Sequence, residues 1–126
     1  MPFIKIKSLK FEKPINIGEI IVNLSKEFSG KVGIDLEHIH VIWEYLDPDH
    51  YAMAGKTTKE QPLKTHPILV DLLVPEFIEP DKIKMMLESV AESISCHSGI
   101  PIKNIFINCA YAHSEMVFDS GKLEKW

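Results

Sequence analysis

The sequence predicts an α+β fold in which two tandem β-α-β units form a four-stranded mixed sheet, with two helices on one face and short extra strands. Two strand-like segments that begin with proline, 2–7 and 67–74, lie about 65 residues apart and mark internal repeats at about 2–46 and 67–112. Each is followed by a helical pattern, a glycine and another strand. A strand joined through a helix to a parallel neighbour makes a right-handed crossover, which places both helices on the same side.

In the first unit, strand 2–7 leads into a helix and a closing strand at 38–45. Asn16 is a suitable N-cap with Glu19 three residues on, and Gly30 lies where a left-handed residue would end the helix. The apolar residues recur at helical spacing and would share one face. They are Ile17, Ile20, Ile21, Leu24 and Phe28.

The second unit repeats this pattern, with strand 67–74, a helix, and a closing strand at 104–111. Pro80 suits the first helical position and Gly99 suits the end of the helix. The apolar stripe of this helix comprises Ile83, Met86, Leu87, Val90 and Ile94.

Alternation along the four strands separates an apolar face, expected to pack on the helices, from a mixed face. The apolar face comprises Ile4, Ile6, Ile39, Val41, Trp43, Ile68, Val70, Leu72, Ile105 and Ile107. The mixed face carries Lys5, Lys7, His40, Glu44, Asp71, Asn104 and Asn108 among Phe3, Ile42, Leu69, Leu73 and Phe106. Such a face suits self-association around a partly hydrated interior, or alternatively a solvated antiparallel face.

Two further segments are predicted to have structure of their own. The connection 47–66 is long enough to carry a function or a short strand, which we expect around 50–54. The stretch after Ala112, with Val117, Phe118 and the final Trp126, is too apolar for a free tail, so we expect it to dock on a neighbouring subunit. A small sheet with a mixed second face is best buried by closed symmetric association, and we expect a homotrimer.

Composition excludes several classes of protein. A chain of 126 residues suits one domain, 1–126. The net charge is −4 and the lysines are spread along the chain, which argues against nucleic acid as a partner. All 14 basic residues are lysine, so bidentate guanidinium recognition of a carboxylate is absent.

The sequence also predicts a protein that has no membrane span and binds no metal or cofactor. The longest apolar run, 68–74, is interrupted by Asp71 and too short to span a bilayer, and we expect a cytoplasmic protein. Cys96 and Cys109 are expected to be reduced thiols. His38 and His40 share a predicted strand face, but no third metal ligand is evident.

Pro2 is the residue with the clearest chemical potential. If Met1 is removed, Pro2 becomes a terminal secondary amine, and partial burial disfavours the charged form of an amine, so it could accept protons near neutral pH. The alternative is that Pro2 merely begins a strand, where its missing N–H costs little.

Several short motifs in the expected order extend this interpretation. They are Ser29-Gly30-Lys31, the segment 52–55, Ile105-Phe106-Ile107-Asn108 and Phe118-Asp119-Ser120-Gly121-Lys122. Together with the proline after Met1 and the repeat, they resemble the tautomerase superfamily, in particular its tandem-unit members with the fold of macrophage migration inhibitory factor. Within it, the chain is most similar to a small, functionally uncharacterised bacterial branch.

The resemblance implies roles for four residues. Pro2 would be the catalytic base that moves a proton between carbon and oxygen of a keto-enol acid. Lys31 would hold a carboxylate or polarise a carbonyl, and Asn108 would supply a hydrogen bond from an adjacent subunit. Phe106 would form a wall without the hydroxyl of the family's tyrosine. Lysine without arginine favours an aromatic or hydrophobic monoacid over a dicarboxylate.

These roles have structural alternatives. Lys31 near a helix end also suits the helix dipole, and Asn108 could simply satisfy a buried interface. Two functions therefore remain open: a tautomerase-like enzyme, and a non-catalytic trimeric module of the same fold that binds a small ligand or has an accessory role.

Overall fold

The computed structural model describes residues 1–126 and confirms the predicted fold class. The chain forms β1 (Phe3–Leu9), α1 (Ile17–Val32), β2 (His40–Leu46), β3 (Ala52–Met53), β4 (Lys56–Thr57), β5 (Ile68–Pro75), α2 (Pro80–Ser98), β6 (Ile105–Ala112), β7 (Val117–Asp119) and β8 (Lys122–Glu124). The main sheet has the order β2-β1-β5-β6. β1 pairs in parallel with β2, β5 pairs in parallel with β6, and the two units meet through the antiparallel pair of β1 and β5.

The core lies between one face of this sheet and the two helices. The predicted apolar face is confirmed, with Ile4, Ile6, Ile68, Val70 and Leu72 in the buried cluster. The stripe of α1 is centred on Ile20, Leu24, Phe28 and Val32, while Ile17 and Ile21 lie at its edge and are only half-buried. In α2 the fully buried apolar residues are Met86, Val90 and Ile94, with Ile83 and Leu87 packed against them.

Helix α1 begins as predicted and ends later than predicted. The Oδ1 atom of Asn16 accepts a hydrogen bond from the backbone N–H of Glu19 at 3.1 Å. The prediction that Gly30 ends the helix is wrong, because α1 continues to Val32 and ends at Gly33, whose φ is 72°. Val32 follows Phe28 by four residues and extends the buried stripe, so its burial favours one more turn.

Two polar residues lie just outside the strands to which we assigned them. His38 and Asn104 occupy single turns of 3-10 helix, Leu36–His38 and Ile102–Asn104. His38 therefore does not share a strand face with His40. The Nδ2 atom of the buried Asn104 donates to the carbonyl oxygens of Pro62 at 3.1 Å and Thr65 at 2.8 Å. These bonds hold the long connection against the second unit, which strand alternation cannot anticipate.

The short extra strands form two hairpins. β3 pairs with β4 across Ala54-Gly55, and both turn residues have positive φ, as a two-residue hairpin turn requires. β7 pairs with β8 across Ser120-Gly121 in the same way. None of the helices combines the length and the apolar character needed to cross a bilayer.

Candidate functional site

Pro2 lies at the end of the sheet where β1 begins. It is buried and directly precedes β1, and its carbonyl oxygen accepts a hydrogen bond from the backbone N–H of His40 at 3.1 Å. This bond fixes the start of β1 against the start of β2. With Met1 attached, the Pro2 nitrogen belongs to a tertiary amide and has no basic lone pair.

Met1 lines two neighbouring pockets, of about 400 Å³ and about 250 Å³. Val117 and Asp119 line both pockets as well, so these three residues lie between them. The larger pocket continues toward the C-terminal hairpin and the smaller one toward the open face of the sheet, where Phe3 and His40 line it. Pro2 itself lines neither pocket, but its nitrogen is bonded to the residue that lies between them.

The C-terminal segment that walls these pockets is anchored on its own chain. Nδ1 of His113 lies 2.5 Å from Oε2 of Glu76, and this contact is the main cause that lowers the pKa of Glu76 below its ordinary value. The backbone N–H of Trp126 donates to Oγ of Ser114 at 2.9 Å, and the Trp126 ring meets the Phe77 ring edge to face at 5.7 Å. Docking of this segment on a neighbouring subunit stays a prediction.

Asn108 lies in a separate pocket of about 460 Å³ on the open face of the sheet. The strand register places Ile42, Lys5, Asp71 and Asn108 in one row across all four strands. Lys5, Asp71 and Asn108 line the pocket with Phe3, and Nζ of Lys5 lies 5.3 Å from the centre of the Phe3 ring. Asn108 thus shares this pocket with two residues of β1 in its own chain.

Lys31 lies elsewhere. It occupies the last turn of α1, on the helix side of the sheet, where its Nζ atom lies 2.9 Å from Oε2 of Glu92 in α2. This hydrogen bond is the main cause that raises the pKa of Lys31. Lys31 lines neither pocket that Met1 lines, nor the pocket of Asn108. Phe106 is 57% exposed on the open face and does not line the Asn108 pocket.

A single chain therefore does not bring the four candidate residues together. Pro2 precedes β1, Asn108 lies on β6 with β5 between these two strands, and Lys31 is on the other side of the sheet. The residues that do surround the N-terminus come from the 3-10 turn and the C-terminal hairpin, including His38, Asp119 and Lys122. The turn motif at 119–122 marks a hairpin in the sequence, but nothing there indicates where the hairpin docks.

Two other clusters of titratable or nucleophilic side chains do not form a catalytic or metal site. Glu27 of α1 accepts a hydrogen bond from Oγ of Ser93 and contacts Nε2 of His97 at 3.0 Å, so serine and histidine both bind the carboxylate and not each other. A Ser-His-acid relay needs the histidine between the other two. Asp35, Glu37 and His38 have ligand atoms within 4.8 Å of one another, but all three side chains are exposed.

Comparison with known proteins identifies the fold. The sequence matches no protein-family model and no curated protein sequence. Among solved structures, native fused 4-OT superposes with a TM-score of 0.83 at 11% identity, over 97% of this chain and 95% of that chain. Pt0534, solved after inactivation by 2-oxo-3-pentynoate, gives 0.83 at 13% identity, over 97% and 94%.

A third structure, macrophage migration inhibitory factor from Oncomelania hupensis, gives a TM-score of 0.76 at 14% identity, over 99% of this chain and 83% of that chain. The chain therefore has the fold of the tautomerase superfamily. At these identities the likeness establishes the fold alone.

Proposed function

We propose that the chain is a tautomerase-like enzyme that uses the amine of Pro2, exposed by removal of Met1, as a base on a keto-enol acid. The observation that carries this proposal is the position of Pro2: it is buried at the start of β1, and the residue before it lines two pockets. Removal of Met1 would leave a secondary amine next to the space that Met1 now occupies between these pockets.

The chemistry needs one proton acceptor. The neutral amine takes the proton from the enol hydroxyl, and the resulting prolinium returns a proton to the substrate carbon, so the enol becomes the keto form and the amine is regenerated. Burial of Pro2 supports this role, because desolvation disfavours the charged form of an amine. A base is most effective when its pKa lies near the working pH.

The proposed substrate is an aromatic or hydrophobic monoacid. The chain has no arginine with which to grip a dicarboxylate in two bidentate contacts. The larger pocket near the N-terminus combines apolar and aromatic side chains, among them Phe77, Val117 and Trp126, with polar and charged ones.

The proposal includes a homotrimer in which a neighbouring chain contributes to each site. Fused 4-OT structures of the same fold are described as symmetric and asymmetric trimers. The open face of this chain exposes Ile42 and Phe106, which association would cover. In this assembly we assign the hydrogen bond of Asn108, and the wall formed by Phe106, to the site of an adjacent subunit.

A second function is favoured by one specific observation. Lys31 pairs with Glu92 on the helix side of the sheet, away from the pockets at the N-terminus, so the carboxylate-binding group implied by the resemblance lies apart from the proposed base. A non-catalytic trimeric module that binds a small ligand would show the same features. Covalent labelling of the N-terminus separates the two functions.

The test uses 2-oxo-3-pentynoate and peptide mass mapping of the Met1-free protein. The alkyne of 2-oxo-3-pentynoate is conjugated to a ketone, and a neutral amine adds to such an alkyne. We expect a single adduct on Pro2 at neutral pH, with loss of any tautomerase activity in step with labelling. A protein that remains unlabelled, or that is labelled only on lysines, contradicts the proposed base. The form that retains Met1 is the matched control and should remain unlabelled at Pro2.

A further inference from the structure

We propose that Lys122, in the C-terminal hairpin, holds the carboxylate of an aryl monoacid in the pocket beside the N-terminus. The catalytic meaning of this subsite rests on the proposed function, but its ability to bind an acid does not. Lys122 replaces Lys31 in this role because the structure places Lys31 in an ion pair on the other side of the sheet.

Lys122 has the position and the free charge that this role requires. It begins β8 and lines the pocket of about 400 Å³ that Met1 also lines. No other lysine lines either pocket at the N-terminus. Lys122 forms no salt bridge, whereas Lys31, Lys59, Lys84 and Lys125 do. Its ammonium group is therefore available to a ligand carboxylate.

The same pocket offers a surface for an aromatic ring. Phe77 and Trp126 line it, with ring centroids 5.7 Å apart and planes at 73°. An edge-to-face pair leaves one ring face open, on which a third ring can pack. A ligand with one aryl group and one carboxylate would use both the aromatic wall and Lys122.

Two carboxylates, Asp119 and Glu124, also line this pocket. Asp119 lies opposite Lys122 in the hairpin register, yet the two side chains do not form an ion pair. A bound carboxylate would be attracted by Lys122 and repelled by Asp119. Neutralising these two residues should therefore change the affinity for an acid in opposite directions, which a merely structural role would not do.

The experiment measures binding of 3-phenylpropanoate by isothermal titration calorimetry, with 3-phenylpropanamide as the uncharged analogue. We expect Lys122→Met to weaken binding of the acid by about tenfold or more and to leave binding of the amide unchanged, since the lost contact is a charge-assisted hydrogen bond. Lys122→Arg should restore binding. Asp119→Asn should tighten binding of the acid.

Lys125→Met is the matched control, because Lys125 lies in the same segment but pairs with Glu115 at 3.5 Å. It should bind the acid like the unmodified chain. Equal dissociation constants for Lys122→Met and Lys125→Met, tighter binding by Lys122→Met, or no saturable binding to the unmodified chain would each overturn the proposal.

This binding test is independent of the proline chemistry. The pocket exists with Met1 in place, so the measurement uses the full chain and needs no turnover. Binding that depends on Lys122, with no label at Pro2, supports the subsite and refutes the base. Labelling at Pro2, with no effect of the Lys122 substitution on binding, supports the base and refutes the subsite.

Discussion

Nζ of Lys31 and Oε2 of Glu92 lie 2.9 Å apart and join the last turn of α1 to α2 on the helix side of the sheet. Both side chains are about half exposed, and exposed ion pairs contribute little to stability. We predict that Lys31→Met changes neither KM nor kcat for an aryl keto-enol acid and shifts the melting temperature only slightly. Steady-state kinetics and a thermal melt test this. A large rise in KM would indicate that Lys31, and not Lys122, binds the substrate carboxylate.

The Glu27 carboxylate of α1 contacts Ser93 and His97 of α2 and so joins the two helices. The hydrogen bond from Ser93, followed by the hydrogen bond and charge of His97, lowers the pKa of Glu27 below its ordinary value of 4.5. A carboxyl group whose pKa is lower in the folded state stabilises the fold above its unfolded pKa, and loses this contribution as the pH falls through the folded pKa.

We therefore predict that Glu27→Gln lowers the urea midpoint at neutral pH, and that this difference disappears well below pH 4.5. Ser93→Ala removes the largest cause of the lowered pKa and should reduce the pH dependence in the same direction. A difference between Glu27→Gln and the unmodified chain that is the same at both pH values would show that the Glu27 charge does not stabilise the helix pair.

The core prediction follows from the position of the buried stripe. Leu24 is fully buried under the sheet, and Leu24→Ala should lower the free energy of unfolding by about 2–5 kcal/mol, because a cavity remains. Val22 is 50% exposed on the same helix, and Val22→Ala should change it by less than about 0.5 kcal/mol. Urea titration of both variants measures the free energy of unfolding. Equal midpoints would show that the buried face of α1 is wrongly assigned.

The open face of the sheet should be an interface between copies of the chain. Phe106 lies 57% exposed on this face, and a charge there would remain unpaired when a neighbouring sheet covers it. We predict that Phe106→Glu converts the trimer to monomer in light scattering. Met85, 49% exposed on α2, provides the control, and Met85→Glu should stay trimeric. An unmodified chain that is a stable monomer at micromolar concentration would contradict the trimer itself.

The sequence predicted the architecture well because the apolar pattern repeats. Two stripes at helical spacing and four alternating strands determine which faces pack together, and the structure buries Ile4, Ile6, Val70 and Leu72 as expected. The ends of elements were harder to predict. The end of α1 lies beyond Gly30 because the burial of Val32 favours a further turn. Asn104 lies outside β6 because it binds a carbonyl of the connection, about 40 residues earlier in the sequence.

The candidate site could be predicted only in part. Pro2 could be named as a candidate from the sequence because its chemistry depends on its position next to Met1, and its role as a base stays a prediction. Lys122 could be named within a motif but not assigned a role, because its place in the pocket depends on how a hairpin docks over 100 residues later than β1. Lys31 was assigned by family pattern alone, and its contact with Glu92 joins two helices that the sequence separates by a long segment.

The central claim is that the amine of Pro2 is the base, and the most direct test compares two forms of the same chain. Intact mass spectrometry first identifies protein with and without Met1. The rate of phenylpyruvate tautomerisation is then measured for both forms at equal concentration. General-base catalysis is worth roughly 10²–10⁴-fold, so the Met1-free form should be faster by a factor in that range. Equal rates, or activity confined to the form that retains Met1, would contradict the account.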